Sequence, residues 1–168
     1  MHDCKPTLDD VGRLVSSLTG PHDLVGTCKV LDGILARLYG HKLFTVLRFI
    51  RKDMESERFY SSDPATYPVL GRKATPETVW GKVVLTDGEI MISRDADDIR
   101  RNFSDHETIF ALGVGSMINV PLLWNGEILG SANISFAGDG YRAADPADLR
   151  MLVGIAAPVV ASAFPVED

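Results

Sequence analysis

Along residues 7–18 the apolar positions Leu8, Val11, Leu14, Val15 and Leu18 recur at spacings of three and four, the pattern of an amphipathic helix that Gly20-Pro21 would close. A second stripe, Leu24, Cys28, Leu31, Leu35 and Leu38, predicts a helix over residues 22–38 with Gly40 as its stop. The period then changes. Residues 42–52, KLFTVLRFIRK, are rich in β-branched and aromatic side chains, and residues 57–61 continue in kind after a polar break. A strand, a turn and an antiparallel partner are expected. Residues 62–74, with Pro64, Pro68 and Gly71, read as a loop of functional length. Thr75 and Pro76 start a predicted helix that closes at Asp87-Gly88, and a short strand, EIMIS, follows.

Residues 94–112 begin acidic and turn apolar at Ile109, Phe110 and Leu112, which predicts a turn and one or two short helices. Residues 115–123 and 127–137 are two strands joined by Asn125-Gly126, the dipeptide of the type I′ hairpin, whose central residues both need positive φ. Asp145-Pro146 opens a last helix carrying Leu149, Leu152, Val153, Ala156, Val160 and Ala163, with Pro158 expected to kink or end it near Ala157. This order of elements predicts an α+β fold, an antiparallel sheet with helices on both faces. The 168 residues suffice for one domain and one core, with residues 1–21 as an added N-terminal helix and 22–164 as the core domain.

Composition narrows the classes. With 45% apolar and 24% charged residues the chain is neither disordered nor a coiled coil. No uninterrupted apolar run reaches the roughly 18 residues of a membrane span, and the polar N-terminus lacks the pattern of a signal peptide, so no membrane partner and a cytoplasmic location are expected. A net charge of −6 gives no basic footprint, so nucleic acid is not an expected partner.

Ideal pairing about Asn125-Gly126 would place Val120 opposite Ser131, Ile118 opposite Asn133 and Ser116 opposite Ser135, giving one sheet face a polar row. The other face would carry Met117, Leu123, Ile128, Ala132, Ile134 and Phe136 toward the terminal helices. Asn119 is the outlier: it is either buried on the apolar face or turned to the polar side by a bulge near Pro121. The polar row is either a solvent-facing strand or the floor of a site. The acidic cluster Asp95, Asp97, Asp98, Asp105, His106 and Glu107 lacks the glycine and closing glutamate of a calcium loop, and zinc spacings are absent, so no metal and no cofactor are expected. Nucleophile elbows and phosphate loops are absent too.

The paired strands GSMINVPLLWNGEILGSANIS, with their Val-Pro, glycine turn and Leu-Gly, together with TPETVWGKVVLTDGEIMISRDA, resemble the GAF domain family from about His22 to Phe164. The resemblance implies a small-molecule pocket between one sheet face and a roof of residues 59–112. Candidate ligand-binding residues are then Tyr60, Trp80, Asp98, Phe103, Asp105 and His106 from the roof, and Ser116, Asn119, Asn133 and Ser135 from the strands. Tyr67, Arg72, Thr78 and Arg101 are further roof residues with useful chemistry. Trp80 and Phe103 read equally as plain core, and His106 behind Asp105 as an exposed helix start.

Free methionine-(R)-sulfoxide reductases of this fold carry thiols where this chain has Val79-Trp80-Gly81 and Phe110-Ala111-Leu112, so thiol chemistry is disfavoured. Bilin attachment, which uses a roof cysteine, is disfavoured as well. The leading expectation is a stand-alone small-molecule-binding domain, a metabolite sensor or accessory protein. Alternatives are a cysteine-independent enzyme using His106 with Asp98 or Asp105, and a structural dimerisation module. A homodimer through the terminal helices is expected, because the Leu8, Val11, Leu14, Val15 stripe needs a partner.

Overall fold

Thr7 and Asp10 close a capping box that starts α1 (Leu8–Ser17), the Thr7 hydroxyl accepting the Asp10 N–H and the Asp10 carboxylate accepting the Thr7 N–H. The same carboxylate receives Arg37 of α2 (Leu24–Tyr39), which ties the two helices together. Asp23 caps α2 by accepting the Gly26 N–H, and Gly40 ends it at a φ of 62°. The structure, a computed structural model, describes residues 5–21, 23–75 and 78–165. Cys4, the predicted helix start at His22, and Pro76 lie outside the described residues.

The strands are β1 (Leu43–Ile50), β2 (Glu55–Ser61), β3 (Arg72–Ala74), β4 (Met91–Ser93), β5 (Ser116–Trp124) and β6 (Glu127–Phe136). They form one six-stranded sheet in the order β3-β2-β1-β6-β5-β4, and its paired strands are all antiparallel. The fold is α+β. On one face, α1, α2 and α5 (Pro146–Ala163) pack over Phe44, Val46, Ile118, Val120, Ile134 and Phe136. On the other lie the loop after β2, a π-helical turn (Gly81–Thr86), α3 (Ala96–Asn102) and α4 (His106–Ala111).

Several local expectations are corrected. The predicted loop 62–74 contains the edge strand β3, and the predicted helix before Asp87 is the π-helical turn. Helix α5 continues through Pro158 to Ala163, because Val159 and Val160 beyond it are buried and their packing outweighs one lost hydrogen bond. By length and composition α5 could cross a membrane, but its Leu149, Leu152 and Val153 are buried against the sheet and α2. The α1 stripe is divided: Leu14 is buried in its own chain, whereas Leu8 is 91% exposed and Val15 44%.

The correction that matters most is one of register. Asn125 and Gly126 take positive φ as the hairpin requires, and Trp124 pairs with Glu127 and Leu123 with Ile128. Leu122 then pairs with Gly130, so Leu129 is an extra residue and every later pair shifts by one. Gly130 is required there: a Cβ would sit 1.9 Å from the Leu47 carbonyl oxygen of β1. Beyond the bulge Asn119 faces Asn133, Met117 faces Ser135, and Ser116 faces Phe136. Period-two alternation turns the shift into an exchange of faces: Ile118 and Val120 go to the helices, Met117 and Asn119 to the roof.

Candidate functional site

Between the sheet and its roof lies a cavity of about 360 Å³, at the small end of the roughly 300–1,000 Å³ of ligand pockets. Its floor comes from alternate positions of four strands: Leu43, Thr45 and Leu47 of β1, Ser56 and Arg58 of β2, Met117 and Asn119 of β5, and Asn133 and Ser135 of β6. Trp80 and Phe103 form part of the wall, their ring centroids 6.5 Å apart at an angle of 52°. Trp80 is set by the π-helical turn behind it, a geometry that recurs at functional sites.

Across the floor runs a row of polar side chains. Asn119 Nδ2 donates to Asn133 Oδ1 at 2.7 Å, Ser131 Oγ donates to the same oxygen at 3.0 Å, and Asn133 Nδ2 donates to Thr45 Oγ1 at 3.3 Å. Asn119 is 1% exposed and Asn133 6%. The row leaves Asn119 Oδ1 buried with no partner, and Trp80 Nε1 and Arg58 Nε on other lining residues are buried without one as well. An unpaired buried polar atom costs on the order of 1–3 kcal/mol, so one acceptor and two N–H donors left unpaired on residues lining one cavity are expensive unless something enters to pair with them.

A second network holds the roof down. Tyr67 donates its hydroxyl to Asp105 Oδ2 at 2.5 Å, Lys73 Nζ reaches Asp105 Oδ1 at 2.8 Å, and the Arg58 guanidinium lies 4.0 Å over the Tyr67 ring. Burial opposes ionisation of Asp105, but Lys73 and Tyr67 outweigh it and hold the carboxyl below its ordinary value. Burial also pushes the Tyr67 hydroxyl up and pulls the Arg58 guanidinium down.

Of the residues expected at the site, Trp80, Phe103, Asp105, Asn119, Asn133 and Ser135 line the cavity. Four do not. Tyr60 pairs with Val46 across a bulge in β2, lies on the helix face, and donates to Asp32 Oδ2 at 2.7 Å. Ser116 moved to that face with the β5–β6 shift. Asp98 is consumed locally: its carboxylate accepts the Arg94 N–H and is paired by Arg94 and Arg101. His106 turns its Nδ1 to the Phe103 carbonyl at 2.9 Å and packs beside Phe110. Among the lining residues that sequence reasoning missed are Thr45, Arg58 and Lys73. Alternation of Leu43, Thr45 and Leu47 against Phe44 and Val46 was a readable signal for the first. Pairing with a partner strand was not readable for Lys73, which sits on the unexpected β3.

No protein-family model and no curated protein matches the sequence. Solved structures do. The GAF domain of an Acinetobacter phosphoenolpyruvate-protein phosphotransferase superposes with a TM-score of 0.70 at 18% identity, covering 96% of each chain. That of the Coxiella burnetii phosphotransferase gives 0.71 at 17% identity, covering 93% of each. The free methionine-R-sulfoxide reductase of Neisseria meningitidis, solved with its substrate, gives 0.70 at 15% identity over 91% of this chain and 87% of its own. The chain therefore has the GAF fold. No cysteine is among the described lining residues, and Cys28 lies 2% exposed in the core under the helices.

Proposed function

We propose that this chain is a GAF-type receptor that binds a small polar metabolite between the sheet and its roof, acting in the cytoplasm as a sensor or accessory protein. The observation that carries the reading is the polar row Thr45–Asn133–Asn119, sealed from water yet ending in an unpaired acceptor. A row kept only for stability would close on itself, whereas one kept for recognition leaves atoms for the ligand. Trp80 and Phe103 would supply apolar contact to the rest of the molecule. Of the residues the enzymatic alternative would use, His106 and Asp98 are turned to local partners, whereas Asp105 lines the cavity and is held by Tyr67 and Lys73. Pairing of two copies through α1 and α5 belongs to the same proposal, resting on the exposed Leu8 and Val15 of α1 and Met151 of α5. Native mass spectrometry of freshly purified protein tests the binding reading: a discrete small-molecule adduct that denaturation releases supports it. Absence of any adduct, both as purified and after incubation with a sub-kilodalton extract of the source cells, would overturn it.

A further inference from the structure

The described lining residues include four cations, Arg58, Lys73, Arg100 and Arg101, against a single carboxylate, Asp105. Three of the cations are committed: Lys73 to Asp105, Arg100 to Asp97 and Arg101 to Asp98. Arg58 differs. Its NH1 donates to the Pro68 carbonyl at 2.8 Å, its guanidinium rests on Tyr67, and its Nε is buried with no acceptor. No carboxylate pairs with it among the described residues, although the protein as a whole carries a charge of −6. The nearest acting carboxylate, Asp105, reaches it only at longer range and is already shared by Lys73 and Tyr67, and a half-buried guanidinium without a direct ion pair gains much from an anion brought by a ligand.

Arg58 stands on β2 and the unpaired Asn119 Oδ1 on β5, three strands away across β1 and β6. At a spacing of roughly 4.8 Å that is about 14 Å between strands, of which the arginine side chain spans a part. Resting on the binding reading above, we propose that the cavity takes a small organic monoanion: a carboxylate against Arg58 and, at the far end of an apolar scaffold, an O–H or N–H that donates to Asn119 Oδ1. One uncommitted cation balances a carboxylate. A phosphate monoester, at about −1.5 to −2, would leave excess negative charge in the cavity.

The test uses the indole N–H signals of the two tryptophans, Trp80 and Trp124, in a ¹H–¹⁵N spectrum, assigned with Trp124→Phe. The probes are 4-hydroxybenzoate, its neutral amide 4-hydroxybenzamide, and phenyl phosphate, each titrated to millimolar concentration. The benzoate is expected to move the Trp80 signal with at least tenfold higher affinity than the amide. Arg58→Gln should erase that preference while leaving amide binding in place, and Arg58→Lys should keep it. Equal affinity for acid and amide overturns the inference and leaves the binding reading standing, as does a preference that survives Arg58→Gln. Tighter binding of phenyl phosphate than of the benzoate overturns the choice of carboxylate. If no probe moves Trp80, the anion inference falls, and the adduct measurement above decides the binding reading separately. Should Arg58→Gln fail to fold, the acid-to-amide ratio in the unaltered protein decides alone.

Discussion

Replacing Asn133 by alanine removes the centre of the polar row. Its side chain accepts from Asn119 and Ser131 and donates to Thr45, and it is 6% exposed. The Ser131 and Thr45 hydroxyls can rotate toward other partners, but the Asn119 amide, 1% exposed and with one atom already unpaired, loses the hydrogen bond it donates to Asn133. One newly orphaned buried amide costs about 1–3 kcal/mol, which in a domain of this length lowers Tm by roughly 2–4 °C per kcal/mol. Replacing both amides tells more. In Asn119→Leu/Asn133→Leu the pair is exchanged for apolar groups, with cavity space beside them, and such exchanges run from neutral to stabilising. Urea unfolding should therefore show a lower midpoint for Asn133→Ala at unchanged m-value, and a midpoint at or above the unaltered protein for the double variant. An alanine variant within about 0.5 kcal/mol of the parent, or a double variant as unstable as the single one, would refute the argument that the row is desolvated and retained for recognition.

Four further outcomes are expected. Gly130→Ala should cost about 3 kcal/mol or more by urea unfolding, because the new Cβ would overlap the Leu47 carbonyl in the β1–β6 ladder; a loss under about 1 kcal/mol would contradict the bulge geometry. Burial pushes the Cys28 thiol up to about 12, so in a Cys4→Ser background the native protein should resist thiol labelling at pH 8 and react fully only when unfolded. Asp105 has a folded pKa below its unfolded value of about 3.9, so it binds fewer protons in the native state; its contribution is present above that pH and is lost as pH falls through the folded value. Asp105→Asn should therefore lower stability at pH 7 and flatten the decline below pH 4, whereas an unchanged acid limb would count against the Lys73 and Tyr67 contacts. Leu8→Glu should convert the proposed homodimer to monomer by light scattering at micromolar concentration; a monomeric parent protein would dismiss that arrangement.

Periodicity made most of the fold legible. The stripes of α1, α2 and α5 and the Asn125-Gly126 turn stand in the sequence because helix burial and positive φ each demand particular residues at particular spacings. The bulge is only half legible: Asn119 on an otherwise apolar face points to one near Pro121, as found, but a single extra residue, Leu129, leaves the local alternation intact while exchanging the face of everything beyond it. Ideal pairing therefore puts Ser116 in the cavity, and the alternation alone does not decide the face of Asn119. Asp98 and His106 had the right chemistry at the right place in the chain, but Arg94, Arg101 and the Phe103 carbonyl, all within a few residues, had first claim on them. Arg58 and Tyr67 show the reverse case. Their roles depend on contacts among the strand, the loop after it and Asp105, which no local pattern records.

If the buried amide row serves a ligand, its removal must weaken binding even where stability is kept. Calorimetric titration of the small molecule released from the purified protein, into the parent and into Asn119→Leu/Asn133→Leu at matched stability, addresses it most directly. Saturable binding by the parent is expected, with affinity at least tenfold weaker in the double variant. Equal affinity in the two proteins would mean that the row touches no ligand and that the binding site lies elsewhere.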